Sequence, residues 1–112
     1  MGSQDAVPRS RRAATMPKLS ESEISARLGA LPGWTYGNNA ISKQYRFKDF
    51  MAAIGFINRI APLAEAANHH PDMLINYSRV TFSCSTHSQG GVTGKDFALA
   101  SRIEQEFAAH GG

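Results

Sequence analysis

The stretch Val80-Thr81-Phe82-Ser83-Cys84-Ser85-Thr86-His87 decides the fold. Val80, Phe82 and Cys84 fall on one side of an extended chain, and Thr81, Ser83, Ser85 and His87 on the other. One side is apolar and the other polar. Residues 80–87 therefore read as a strand of an antiparallel sheet with one face covered by helices. Residues 72–77 give a shorter strand just before it. Further upstream, residues 41–47 alternate in the same way, with Lys43 the one breach on the apolar side. Residues 34–36 and a Gly37-Asn38-Asn39 turn complete a hairpin with them.

Helices flank these strands. Ser20-Glu21-Ser22-Glu23 has the spacing of a capping box, and Ile24, Leu28 and Leu31 follow on one helical face until Pro32-Gly33. Asp49 is placed to cap a long helix, in which Phe50, Ile54, Ile57, Ala61 and Ala64 recur at helical spacing. Met51, Phe56, Ile60 and Leu63 widen that stripe. A stripe this wide argues for burial on more than one side, hence self-association. Pro62 inside it removes a backbone bond at a cost of about 3 kcal/mol, so a kink or a fresh short helix is expected there. Pro71 ends the helix by His70. Thr93-Gly94-Lys95-Asp96 caps a last helix with Phe97, Ala100, Ile103 and Phe107 as its stripe. The order α-β-β-α-β-β-α gives an α+β two-layer sandwich, a four-stranded antiparallel sheet with helices on one face.

Composition narrows the function. The 112 residues are 42% hydrophobic and 19% charged, which suits a single globular domain rather than a disordered chain. We read residues 1–18 as a disordered extension and 19–109 as the domain. Within residues 1–16, Arg9, Arg11 and Arg12 against Asp5 give two of the three net positive charges, so the rest of the chain is nearly neutral. Its Lys43, Arg46, Lys48, Arg59 and Arg79 are scattered among acids, which argues against nucleic acid as a partner. No apolar run approaches the about 20 residues of a membrane span. The one cysteine, Cys84, reads as a small core residue and excludes an intrachain disulfide or a cysteine zinc site. A lone thiol fits a reducing compartment, and we expect a cytoplasmic protein, with the Arg- and Ser-rich tail a weak organelle-targeting candidate. Gly90-Gly91-Val92-Thr93-Gly94 opens a helix but lacks the pattern of a phosphate loop.

The chemistry rests on histidines. His69 and His70 close the long helix and His87 ends the last strand, so one rim of a two-layer domain can collect all three. Three readings stand at this point. Imidazoles can donate and accept protons near neutral pH. Three of them with a water could hold zinc, although adjacent histidines chelate poorly and no carboxylate or thiol completes the set. Or His69 simply caps helix carbonyls and His87 is a polar strand end.

Glu65-Ala66-Ala67-Asn68-His69-His70-Pro71, then Tyr77, Val80, Ser85-Thr86-His87 and Thr93-x-x-Asp96 through Ala100 and Ile103, resemble the pterin-4a-carbinolamine dehydratases. Gly33-Trp34, residues 41–50 and Gly55-Phe56 follow the same pattern, so the resemblance spans roughly residues 19–107. It implies a hydro-lyase that converts 4a-hydroxytetrahydrobiopterin to quinonoid dihydropterin and water. That step recycles the pterin of aromatic amino acid hydroxylases, with no metal or organic cofactor. By resemblance His69, His70 and His87 are catalytic, with His70 the principal acid/base. Asn68, Ser85 and Thr86 contact substrate alongside the histidines, and Glu65 orients a histidine. Met73, where animal members often carry Trp, is expected to alter one wall of the pocket. The resemblance also implies a homodimer or homotetramer built through the long helix and the sheet edge. The competing expectation from some relatives is a non-catalytic protein-binding module, a transcription-factor dimerisation cofactor or an enzyme-assembly factor, acting through the helical face.

Overall fold

A computed structural model describes residues 17–111; the expectations placed on residues 1–16 lie outside them. The elements are α1 (Glu21–Leu28), β1 (Thr35–Gly37), β2 (Ala40–Arg46), α2 (Phe50–Ala67), β3 (Asp72–Asn76), β4 (Arg79–Cys84), a 3₁₀ turn (His87–Gln89) and α3 (Gly94–Glu106), closed by one π-helical turn (Phe107–Gly111). This is the α-β-β-α-β-β-α order and the α+β class read from the sequence. The sheet runs β1-β2-β4-β3, antiparallel throughout. Asn38 and Asn39 both take positive φ, 54° and 60°, the left-handed geometry that a tight hairpin demands. Its register pairs Thr35 with Ser42 and Gly37 with Ala40.

The alternation of β4 does what its chemistry requires. Val80, Phe82 and Cys84 are fully buried while Thr81 and Ser83 stay half-exposed on the open face. Burial pushes the Cys84 thiol up, far above the range in which it would ionise, so it behaves as a core residue. Ile41 and Tyr45 of β2 and Phe47 just beyond it join the same face. Ala53, Phe56, Ile60 and Ala64 of α2 and Phe97, Ala100 and Ile103 of α3 cover it. Length and composition alone would let α2 cross a membrane; here its buried stripe sits on the sheet.

Four local expectations need correction. First, α1 stops at Leu28, because the backbone N–H groups of Ala30 and Leu31 turn back to Arg27 and Leu28 before Pro32 is reached. Second, no fresh helix starts at Pro62: α2 is one continuous helix across it. Pro62 and Asn58 both lie on the exposed side, where water can serve the Asn58 carbonyl that the proline leaves without a donor. Third, β4 ends at Cys84, and His87 begins the 3₁₀ turn instead of ending the strand. There the Thr86 N–H bonds the Gly91 carbonyl at 2.9 Å, folding the chain back on itself. Fourth, Met73 pairs with Phe82 and packs against the core, so it forms no wall of the histidine cavity.

Lys43, the charge on the apolar side of β2, has a physical reason. Its Nζ meets Glu104 Oε2 at 2.5 Å and the Pro32 carbonyl at 2.9 Å. The same carboxylate oxygen accepts from Tyr45 Oη at 2.5 Å and Trp34 Nε1 at 3.0 Å. Glu104 thus ties α3 to β2 and to the turn after α1. Partial burial alone would raise its pKa. The hydrogen bonds from Lys43, Tyr45 and Trp34 outweigh that and hold it below the ordinary carboxylate value. Folded Glu104 therefore takes up its proton less readily than unfolded Glu104. Its stabilising contribution is complete above about pH 4.3 and is lost as pH falls through the lower folded value. Glu104→Ala is expected to cost about 2 kcal/mol at pH 7. Urea denaturation should show the gap to wild type narrowing at pH 3; a gap that is constant with pH would contradict this.

Candidate functional site

Asn68 sets the site by leaving the helix. It sits at φ 52° and ψ 41°, and its N–H still bonds the Ala64 and Glu65 carbonyls. Asn tolerates this left-handed geometry better than most residues. His69 N–H returns to the Ala64 carbonyl at 3.1 Å, closing the last turn. Beyond that point His69 and His70 diverge, as adjacent residues off a helix can. His69 turns inward and is 12% exposed; His70 turns outward and is 56% exposed.

Each histidine meets a carboxylate through Nε2. His69 Nε2 lies 2.5 Å from Asp96 Oδ1, and His70 Nε2 lies 3.1 Å from Glu65 Oε1. Asp96 is fully buried, and its other oxygen accepts from Thr86 Oγ1 at 2.8 Å and from the Thr93 N–H at 2.9 Å. Thr93 Oγ1 lies 2.8 Å from Thr86 Oγ1 and accepts from the Lys95 N–H at 3.2 Å. With Thr86 donating to Asp96, Thr93 donates to Thr86, and both threonine hydroxyls have a partner. A carboxylate accepts, so the Asp96 contact calls for a proton on His69 Nε2, and Nδ1 is the ring nitrogen without a partner among the described residues.

The third histidine arrives from the other layer. His87 is exposed, and its ring has no hydrogen-bond partner among the described residues. Together with Asn68, His69, His70, Ser85 and Thr86 it lines a cavity of about 300 Å³, with Ser88 and Lys95 completing the wall. That is the small end of the usual range for ligand sites, about 300–1,000 Å³. Six of the seven residues singled out in the sequence thus face one space. Glu65 does not line it and reaches it only through His70. The Ser85 hydroxyl is already engaged, donating to the Asn39 carbonyl at 2.9 Å.

Two contributors were missed. The sequence marks Asp96 as a helix cap, which it is: Thr93 and Asp96 form a capping box. That local role masks the ionic one, and only the pairing of an acid with a histidine 27 residues away could have exposed it. Lys95 was read as part of the same cap, although its side chain stands on the cavity wall. Among the described residues no group of three or more His, Cys, Asp or Glu side chains is arranged to hold a metal ion.

The family profile described as pterin 4 alpha carbinolamine dehydratase matches residues 17–106. A protein of Sulfolobus acidocaldarius, whose name assigns it provisionally as a pterin-4-alpha-carbinolamine dehydratase, is 48% identical over 88 residues, covering 79% of this chain and 97% of its own. A similarly named protein of Chloroflexus aurantiacus is 50% identical over 90 residues, covering 80% and 97%. Among solved structures, a transcriptional coactivator/pterin dehydratase from Brucella melitensis superposes with a TM-score of 0.76 at 40% identity, covering 80% of this chain and 97% of that one. A pterin dehydratase-like protein identified as a RuBisCO assembly factor in the alpha-carboxysome shares the fold at 16% identity, TM-score 0.54, over 65% of this chain and 84% of its own. A profile match over most of the chain and relatives near half identity leave one assignment: this chain belongs to the pterin-4-alpha-carbinolamine dehydratase family.

Proposed function

We propose that this chain dehydrates 4a-hydroxytetrahydrobiopterin to quinonoid dihydropterin and water by histidine acid–base catalysis. The observation that carries the reading is the gathering of His69, His70 and His87 around one cavity, with His69 fixed by the buried Asp96. Hydroxide is a poor leaving group. A general acid must protonate the 4a-hydroxyl as the C4a–O bond breaks and the N5 electron pair forms the C4a=N5 bond. A base then removes the N5 proton. His70, exposed at the cavity with Nδ1 open, serves as the principal acid/base. His69 and His87 orient the ring and share proton transfer, while Asn68 and the chain at Ser85–Thr86–His87 bind the pyrimidine edge. Glu65 steadies His70 from outside the cavity. No metal or organic cofactor takes part in this scheme.

The test is direct. A hydroxylase generates the 4a-hydroxy adduct in situ, this protein is added, and quinonoid dihydropterin is followed by absorbance. Acceleration over the spontaneous reaction is the expected outcome. A folded protein that gives none would overturn the reading.

A homodimer or homotetramer fits the same picture. β3 is an edge strand whose Leu74 and Ile75 are exposed, Tyr77 beyond it is 70% exposed, and Met51 on α2 is 73% exposed. These apolar surfaces support association through the sheet edge and the long helix, and the helical face is also where a protein partner would bind. The single buried thiol suits a reducing compartment such as the cytoplasm.

A further inference from the structure

His69 and Lys95 belong to two cavities at once. The second, about 490 Å³, lies between the C-terminal half of α2 and the first turns of α3. Apart from its two shared residues its walls are largely apolar, Leu63, Ala67, Ala98 and Leu99 among them, with Arg102 at its side and no acidic residue lining it among the described residues. Neither Lys95 nor Arg102 has an ion-pair partner among the described residues. Nothing in the dehydration step uses this space.

The proposed pose makes it reachable. With the pyrimidine edge on the chain at residues 85–87 and C4a and N5 beside His69 and His70, the C6 end of the pterin points away from the strand. It faces the side of the site bounded by His69 and Lys95, the two residues that also line the apolar cavity. The other neighbouring cavity, about 440 Å³ and lined by Asn38, Asn39, Ser42 and Asp72, opens off Ser85 and His87 at the opposite end. A short dihydroxylated C6 chain would leave the apolar walls bare. An aromatic ring would cover them, and a terminal carboxylate would meet Arg102 and Lys95.

We infer that the α2–α3 cavity is a subsite for the C6 substituent of the pterin, and that it takes an aromatic substituent ending in a carboxylate, as in pteroylglutamates. The inference rests on the dehydratase reading. Folic acid and 6-methylpterin, both oxidised and unreactive, are suitable probes for calorimetric titration. Wild type should bind folic acid about 10- to 100-fold more tightly than 6-methylpterin. Arg102→Gln should remove about threefold to fivefold of that preference, and 0.5 M salt a similar share. Ala98 is exposed on the cavity wall, and Ala98→Trp should fill the space and abolish the preference. Both variants should bind 6-methylpterin like wild type, with unchanged circular dichroism.

Equal affinity of wild type for the two probes would overturn the subsite. So would a preference that survives Ala98→Trp. If folic acid gains nothing and Ala98→Trp also lowers the mass seen by light scattering, the cavity is an interface between copies of this chain and the assignment is wrong. Failure of wild type to bind 6-methylpterin at all would bring down the dehydratase reading itself, and the subsite with it.

Discussion

Replacing His70 with alanine is expected to slow dehydration by at least about 100-fold, the range of a lost general acid–base group, and to leave the fold untouched. The second half of that statement comes from packing. His70 is more than half exposed, and its one partner, Glu65, is 78% exposed, so their pairing adds little to stability. His70 is also absent from the buried core. A drop in rate would therefore report chemistry. Glu65→Gln should cost far less, because it only loosens a histidine already free to reach the cavity. Thermal melting alongside the coupled assay separates the two effects. A His70→Ala protein within threefold of wild type would move the acid–base role to His69 or His87.

Asp96 should divide stability from chemistry. Asp96→Ala removes a buried acceptor from His69, Thr86 and the Thr93 N–H together, and should cost about 3 kcal/mol as well as activity. Asp96→Asn is the sharper experiment. The amide oxygen can still accept from Thr86 and Thr93, which places the NH₂ against His69 Nε2. That nitrogen must then accept, and the His69 proton moves to Nδ1. The imidazole keeps its place but presents the wrong atom to the cavity. We expect a stability loss of about 1 kcal/mol with a rate loss of at least about 100-fold, in the direction that an inverted tautomer takes in other histidine–carboxylate pairs, where the loss can reach about 10⁴-fold. ¹⁵N spectra of the ring should report the exchange of protonated nitrogen. Full activity with an unchanged pH–rate profile in Asp96→Asn would mean that Asp96 is only a helix cap.

Most of the fold was legible because it is written in local rules. The strict alternation of β4 and the capping boxes at Ser20 and Thr93 each have one physical meaning, and the structure carries all of them. Lys43 looked like a breach because its compensation, Glu104, lies 61 residues away on another element. Pro62 misled for a related reason. Its cost depends on whether the orphaned carbonyl faces core or water, and periodicity alone did not settle that. Alternation continues through His87 and so points to a strand; the backbone instead turns at Thr86 and Gly91, a pairing between residues too close in sequence to leave a pattern. At the site, Asp96 stayed hidden because its capping role already explained it. Nothing local said that the same carboxylate would also hold His69.

The sheet order has a consequence for how the chain comes to be functional. Hairpins β1–β2 and β3–β4 are local and can form in microseconds, but the central β2–β4 pairing joins residues such as Ile41 and Cys84, far apart along the chain. His69 lies before the second hairpin, His87 after it, and Asp96 later still on α3. No fragment that ends short of residue 96 can hold His69 in its working tautomer. A chain still emerging during synthesis would therefore carry all three histidines before it had a site, and α3, made after them, is the element that completes it.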